Sequence, residues 1–226
     1  MKSAFFQGLR ASLSIAVGYV PVAISFGLAA VYADISPFMA ILISLLVYAG
    51  ASQFILVSLV AGGGTAASVI GIVWLMNLRH FFYGPALISR LDPGGRRLPL
   101  AVLAAGLTDE VFAASISKLE QQPAHKREYW YAGLQLGAYA AWVGGTALGA
   151  YFGHDWIRES EILAQALGFV LPALFFALLL EVRKLVVPHV LAGAALATAL
   201  SLLWLPAYAA LIAGMLAGVW LAGRRA

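Results

Sequence analysis

The chain has 226 residues, of which 62% are hydrophobic and 11% are charged, and its mean hydropathy is +0.90. This composition leaves too little polar surface to cover a soluble globule, and a sequence without cysteine excludes disulfides, thiolate metal sites and a cysteine nucleophile. The 14 Lys and Arg outnumber the 10 Asp and Glu, but they lie in small groups at the ends of apolar runs, a pattern that sets membrane topology and is not typical of nucleic-acid binding.

Eight apolar segments approach the length of about 20 residues that a membrane-crossing helix needs. They run over 11–33, 37–60, 65–88, 98–117, 129–152, 162–181, 186–204 and 206–223. The first follows Lys2 and Arg10 and is longer than the about 7 to 15 apolar residues of a signal-peptide core, so we expect it to be retained. We therefore predict an all-α polytopic membrane protein with six to eight hydrophobic helical segments, some of them broken or re-entrant, in a single transmembrane domain over 1–226.

The basic residues leave two arrangements open. If all eight segments cross and Lys2 and Arg10 are cytoplasmic, the loop 89–97 with its three arginines faces outward, against the positive-inside rule. The conflict disappears if 98–117 is re-entrant and one of the two segments before it also fails to cross, which leaves six full spans plus broken pieces. Both arrangements place the N- and C-termini in the cytoplasm.

Small residues recur at every fourth position of segment 129–152 and therefore share one helix face. They are Gly133, Gly137, Ala141, Gly145, Gly149 and Gly153, and Gly214 with Gly218 repeats the pattern in the last segment. Such a face allows two helix backbones to approach closely. We expect the face to pack within the chain, with a partner subunit as the alternative.

Ionisable residues interrupt two of the apolar segments. Arg79 lies 11 residues before Arg90, and Asp109 lies 12 residues after Arg97, so both are about 16 to 18 Å from the same loop along ideal helices. Arg79 is therefore predicted to face Asp109 or Glu110, because an unpaired charge at that depth is costly. The pair alone would only hold a hairpin together. Two adjacent acids favour a further role in proton coupling, since an apolar setting disfavours the ionised form of an unpaired carboxyl group.

Four further residues are candidates for binding or relay. Gln53 follows the small residues 49–52, which would let a ligand approach the backbone, and Pro21 frees a carbonyl in the first span, although kinks of this kind are common there. Asn77 and His80 are three residues apart and share a helix face with each other. For His80, a packing role and a proton relay remain equally open.

Motifs of the common catalytic classes do not occur in the sequence. There is no HExxH, no GxSxG and no Walker lysine, so metal-dependent hydrolysis, serine hydrolysis and ATP use have no support. We predict that the protein is not an enzyme and needs no metal or cofactor. Uphill transport would then draw on an ion gradient or on a partner.

Four motifs together resemble the AzlC family, most strongly over residues 15–115. They are Pro21 with Ser25-Phe26-Gly27, Tyr48-Ala49-Gly50-Ala51-Ser52-Gln53-Phe54, Asn77-Leu78-Arg79-His80 and Thr108-Asp109-Glu110. The resemblance implies the large subunit of a bacterial inner-membrane exporter of branched-chain amino acids, which works with a small AzlD-type membrane subunit. Leucine, isoleucine and valine are the implied substrates, with methionine as a further candidate.

The implied mechanism is proton-coupled secondary transport. Gln53, Asn77 and the groups freed around Pro21 would bind the zwitterion, and Arg79 would hold its carboxylate or guard the two acids. Asp109 or Glu110 would then carry the coupling proton, with His80 as a relay. The rival interpretation is a channel or a non-transporting membrane subunit whose buried charges serve only folding.

Overall fold

The computed structural model describes residues 2–91, 98–159, 162, 187–205 and 207–223, and every regular element within these ranges is a helix. The predicted all-α class is therefore confirmed for this part of the chain. Two compact units are present, residues 1–174 and 175–226, and the single domain over 1–226 stays a prediction. Three parts of the predicted chain lie outside the described residues: nearly all of segment 162–181, residues 92–97 of the loop 89–97, and both C-terminal arginines.

The chain begins with two helices in succession, α1 (Lys2–Ala11) and α2 (Leu13–Tyr32). The backbone of Ser12 between them stays in the right-handed helical region, and its amide donates to the Gly8 carbonyl at 3.0 Å. Among the described helices, α2 is the one that is long and apolar enough to cross a membrane, with a mean hydropathy of 1.9 over its most apolar window. The sequence did not predict α1, because Lys2 and Arg10 mark a segment boundary by charge.

Three consecutive apolar segments are each broken into two shorter helices. They form α3 (Pro37–Leu46) with α4 (Gly50–Ala61), α5 (Ala66–Asn77) with α6 (His80–Leu91), and α7 (Leu100–Ala105) with α8 (Asp109–Lys118). The expectation that some of the apolar segments are broken is thus confirmed for 37–60, 65–88 and 98–117. The breaks fall at the motifs 48–54, 77–80 and 108–110. Hydropathy alone does not distinguish these motifs from the rest of the apolar segments.

Each break has a local cause. In the first, Tyr48 takes a left-handed backbone with φ 41°, which ends α3 and turns the chain. The second is a single turn at 78–79, after which the amides of Phe82 and Tyr83 both donate to the Arg79 carbonyl. In the third, the Thr108 hydroxyl caps α8 by accepting from the Val111 amide at 3.3 Å.

Two short 3₁₀ turns, Leu119–Gln121 and Ala124–Lys126, lead into the long helix α9 (Arg127–Glu159). The α1–α2 pair lies along α9 and runs parallel to it: Gly133 meets the Phe5 carbonyl, and Gly149 meets the Ile24 carbonyl. A Cβ at either glycine would overlap these backbone atoms. This confirms that the small-residue face of α9 packs within the chain.

The α3–α4 pair is a hairpin that returns to the end of the bundle from which it starts. We call this the first hairpin, and we call the end of α2 at Tyr32 the far end. Val57 of α4 packs in one cluster with Ala40 of α3 and with Ala30 and Ala150, which lie toward the far end. The tip, at Tyr48 and Ala49, reaches the middle of α9, where the Tyr48 and Tyr139 rings lie 4.7 Å apart.

The α7–α8 pair, the second hairpin, starts and ends at the opposite end of the bundle, where α9 begins and which we call the near end. The Leu98 amide donates to Glu128 at 2.8 Å, so the second hairpin begins beside the first turn of α9. Arg90 precedes the second hairpin and Glu120 follows it, and Nη1 of Arg90 lies 3.1 Å from Oε1 of Glu120. Arg127 also donates to the Arg90 carbonyl at 2.9 Å.

These contacts favour one of the two arrangements for segment 98–117. A full crossing would separate Arg90 from Glu120 and Arg127, and this expectation is contradicted by their contacts. The alternative, in which 98–117 is re-entrant and one of the two segments before it also turns back, has the geometry that the two hairpins adopt. Arg90 thereby joins Lys2 and Lys126 at the near end, and the conflict with the positive-inside rule disappears for it. The number of membrane crossings stays a prediction.

The second unit contains the helices α10 (Pro188–Ser201) and α11 (Ala207–Gly223), which pack against each other. Gly214 meets the Thr198 hydroxyl and the Ala194 carbonyl, and Gly218 lies beside the Ala194 methyl group. The weaker glycine pattern of the last segment thus serves helix packing, as expected.

Candidate functional site

The three helix breaks are linked by polar side chains. The Ser52 hydroxyl, next to the first break, donates to the Asn77 side-chain oxygen at the second at 2.9 Å. From the second break, Arg79 reaches Asp109 at the third. The tips of the two hairpins and the turn between α5 and α6 therefore form one site, packed against α2 and α9.

Asp109 uses both carboxylate oxygens. Its Oδ2 atom is 3.0 Å from Nη2 of Arg79, and its Oδ1 atom accepts a hydrogen bond from the Tyr83 hydroxyl at 2.8 Å. The Arg79 and Asp109 side chains are 24% and 18% exposed, so the ion pair is largely shielded. The predicted pairing of Arg79 with one of the two acids is confirmed. Within the part of the chain that the structure describes, the buried Nε of Arg79 has no hydrogen-bond partner.

Glu110 faces a different neighbour. The Tyr19 hydroxyl of α2 donates to its Oε2 atom and is also 2.7 Å from the Thr108 hydroxyl. The salt bridge of Arg79 is with Asp109, so hydroxyl groups rather than a cation surround Glu110. Sequence reasoning missed Tyr19 and Tyr83. The available signal was a tyrosine hydroxyl inside an apolar segment, one near Pro21 and the other three residues after His80.

Gln53 is fully buried, and its side-chain amide holds the first hairpin to α9. Its Oε1 accepts from the Ala49 amide at 3.1 Å and from the Trp142 indole at 3.0 Å, and its Nε2 donates to Ser44 at 2.9 Å. Ser44 is in turn 2.8 Å from the Thr146 hydroxyl of α9. A ligand would reach Gln53 only by displacing one of these partners.

A groove of about 400 Å³ opens beside the linked breaks, within the range of small-molecule sites. Its walls are the end of α3, the first break, the start of α6 and the end of α7. Asn77 and His80 line it, together with Tyr48, Ala49 and Phe81. Of the predicted site residues, Asn77 and His80 thus face the groove. His80 also lies 3.1 Å through Nδ1 from the Asn77 carbonyl, which ties its ring to the end of α5.

Pro21 stands apart from the linked breaks. It lies two residues beyond Tyr19 and hence about 200° around α2 from it. Its carbonyl accepts from the Ser25 hydroxyl at 3.0 Å, within the same helix. The groove has no wall from α2. The expected contact of Pro21 with a bound ligand is therefore not seen in this arrangement.

Tyr48 borders the groove and belongs to the hydrophobic core. The residue is 7% exposed, has a left-handed backbone, and carries a buried hydroxyl with no hydrogen-bond partner among the described residues. Non-glycine residues adopt such a backbone at a cost of order 1 to 3 kcal/mol, typically at functional sites. The residue packs in the same hydrophobic cluster as Tyr19 and Val111.

Sequence comparisons match the chain to one family. The AzlC protein family profile covers residues 14–155. An uncharacterized membrane protein of Archaeoglobus fulgidus is 41% identical over 224 residues, which is 98% of this chain and 96% of that protein. The inner membrane protein YgaZ of Escherichia coli K12 is 39% identical over 78% of this chain and 72% of its own length.

A more distant relative has a name that states a substrate. The branched-chain amino acid transport protein AzlC of Bacillus subtilis is 26% identical to this chain, over 79% of the chain and 68% of its own length. No solved structure matches the chain.

Proposed function

Because the chain belongs to the AzlC family of membrane proteins, we propose that it exports branched-chain amino acids across the bacterial inner membrane by proton-coupled secondary transport. The name of the Bacillus subtilis relative supports the substrate class. Leucine, isoleucine and valine are the expected substrates, with methionine as a further one. As the resemblance implies, the chain would work with a small AzlD-type membrane subunit and would place both termini in the cytoplasm.

The groove beside the breaks is the proposed substrate site. It adjoins the start of α4 and the end of α5, so backbone N–H groups and carbonyls of opposite partial charge lie near it. A zwitterion suits such an environment, and Asn77 supplies a polar side chain beside an otherwise apolar wall. Apolar pockets discriminate by only about 1 to 3 kcal/mol per methylene, which fits overlapping aliphatic substrates.

The arrangement assigns different tasks to the other predicted residues. Arg79 neutralises Asp109, in keeping with the guarding role and against a role in holding the substrate carboxylate. Gln53 would act indirectly, by fixing the start of α4 where the substrate binds. His80 borders the groove and would orient Asn77 through the end of α5.

The difference between the two acids is the observation that carries the coupling proposal. Asp109 has a counter-ion in Arg79, whereas Glu110 contacts the hydroxyl of Tyr19. A carboxyl group without a cation can exchange its proton without breaking a salt bridge. Glu110 is therefore the proposed proton carrier, and Asp109 belongs to the supporting structure.

Efflux from proteoliposomes tests the proposal. Vesicles preloaded with labelled leucine would contain the wild type, Glu110→Gln or Asp109→Asn, each with and without the small subunit, under an imposed pH gradient. Gradient-driven efflux in the wild type is expected to disappear in Glu110→Gln, while exchange of internal for external leucine persists. Full coupling in Glu110→Gln would contradict the assignment. Downhill efflux that ignores the gradient in the wild type would instead indicate a channel.

A further inference from the structure

Gly84 lies in the wall of the groove, one helical turn beyond His80 on α6. A Cβ built on Gly84 would meet no atom of the described chain within 4 Å beyond its own helix and its two chain neighbours. The glycines of α9 that pack within the chain behave differently, since a Cβ at Gly133 or Gly149 would overlap the backbone of α1 or α2. Packing therefore does not require a glycine at position 84.

The helix does not require a glycine there either. The φ of Gly84 lies outside the left-handed region, and inside a helix glycine is less favourable than alanine because it loses more backbone freedom on folding. Gly71 of α5 and Gly144 of α9 also have open surroundings, but both are exposed and neither lines the groove. Gly84 differs from them in that the volume its side chain would take belongs to the groove.

The face of α6 that carries Gly84 points toward the protein. Leu87 and Leu91 follow Gly84 at intervals of three and seven residues and therefore share its side of the helix. Both leucines are only 2% exposed and belong to the hydrophobic core. Gly84 itself is half-buried, whereas the next two residues, Pro85 and Ala86, are exposed. The open space in front of Gly84 is thus on the protein side of α6.

The groove has a polar end at the helix breaks, where Asn77 and His80 line it beside the start of α4. Gly84 lies one turn further, about 6 Å along α6. Most of the remaining wall is apolar: Leu45, Leu46, Val47, Ala104, Ala105 and Leu107. An amino acid whose charged groups lie near Asn77 would direct its aliphatic side chain away from the polar end and along α6, because apolar surface is stabilised by leaving water. Leucine measures about 5 Å from its carboxyl carbon to its methyl groups, which is close to one helical turn.

We propose that Gly84 is the specificity-determining residue of the groove, because the space left by its missing side chain receives the end of the substrate's aliphatic side chain. The length of that side chain then decides how much of the space is filled. Valine leaves part of it empty, leucine reaches into it, and methionine extends furthest. This inference rests on the proposed function, because it takes the groove as the site of an aliphatic amino acid.

Binding of valine, leucine and methionine to the purified full-length protein, measured by calorimetry, tests the inference in Gly84→Ala and Gly84→Val. The added methyl groups occupy space that the longer substrates would fill, and a change of one methylene in an apolar pocket alters affinity by about 10- to 200-fold. In Gly84→Val, the dissociation constants of leucine and methionine should therefore rise at least about tenfold, while that of valine stays close to the wild-type value. Gly84→Ala should show the same order with a smaller change.

Gly71→Val is the matched control, because Gly71 is also a helical glycine with open surroundings but does not line the groove. It should keep the three wild-type dissociation constants. Gly84→Ala is the variant that decides the test if Gly84→Val does not fold. It should unfold at no lower temperature than the wild type, because its methyl group meets no neighbouring atom and alanine favours a helix.

The outcomes separate this inference from the proposed function. An unchanged ratio of leucine to valine affinity in the Gly84 variants, or an equal loss for all three amino acids, overturns the role of Gly84 and leaves the proposed function intact. The same shift in Gly71→Val also overturns that role. Binding of none of the three amino acids by the wild type overturns both proposals.

Discussion

Asp109 and Glu110 are adjacent in sequence, yet they belong to different parts of the structure. Successive residues of a helix point about 100° apart, so Asp109 meets Arg79 and Tyr83 of the α5–α6 segment, whereas Glu110 meets Tyr19 of α2. One acid is thereby bound to a fixed charge and the other to a neutral hydroxyl. The pairing of Arg79 was predictable from equal depth. Which acid it would choose was not, because that depends on where α8 starts.

Replacing Arg79 with leucine should destabilise the protein, because Asp109 is then left as a shielded carboxylate without a counter-ion. We expect a loss of about 2 to 3 kcal/mol, below the range for a fully buried pair, since both side chains are partly exposed. Thermal unfolding in detergent would measure it. Adding Asp109→Leu to the same chain should restore most of the lost stability. A double variant as unstable as Arg79→Leu would show that Arg79 acts through other contacts.

Gln53→Leu separates a structural role from direct substrate contact. The change leaves the Ala49 amide and the Trp142 indole without their acceptor, so the free energy of unfolding should fall by about 2 to 3 kcal/mol. Ser58→Ala, which removes an exposed hydroxyl bonded within its own helix, should have little effect. Leucine affinity measured on the folded fraction should fall together with stability and only modestly, because Gln53 acts on the substrate site through the start of α4. A large loss of affinity at unchanged stability would instead support direct binding by Gln53.

At the scale of elements, hydropathy predicted where the apolar segments lie but not how they bend. Runs such as 37–60 contain enough apolar residues for a span. A count of apolar residues does not reveal that Tyr48 has a left-handed backbone in that run, or that Thr108 caps a helix in the middle of 98–117. The charge conflict at the loop 89–97 was the better guide, because it disappears if 98–117 turns back. The glycine spacing of α9 was sufficient to predict close packing, since only the period of the helix is needed.

Two glycine substitutions on α9 test the close approach of backbones. Gly149→Ala should lower stability by about 1 to 3 kcal/mol, because its Cβ would overlap the Ile24 backbone. Gly144→Ala on the same helix has open space around it and should be neutral or slightly stabilising, as alanine favours helix more than glycine does. Equal melting temperatures for the two variants would contradict the packing described for α2 and α9.

At the scale of the whole molecule, the hairpins make a prediction about sidedness. The natural chain has no cysteine, so single cysteines can be introduced without a background. Ser36→Cys and Ala66→Cys flank the first hairpin and should react with an impermeant maleimide from one side of the membrane. Ser89→Cys and Gln121→Cys flank the second hairpin and should react from the cytoplasmic side. Labelling of Ser36→Cys and Ala66→Cys from opposite sides would mean that α3 and α4 together cross.

The long helix α9 also fixes an order of events during synthesis. Its backbone contacts with α1 and α2 join residues near the start of the chain to residues beyond Arg127, so this interface can close only after most of the first unit has left the ribosome. Until then the bare glycines of α1 and α2, as well as Gln53 and Ser44 of the first hairpin, lack the partners that α9 supplies. These groups are therefore covered only once α9 has been made and has packed against α1 and α2.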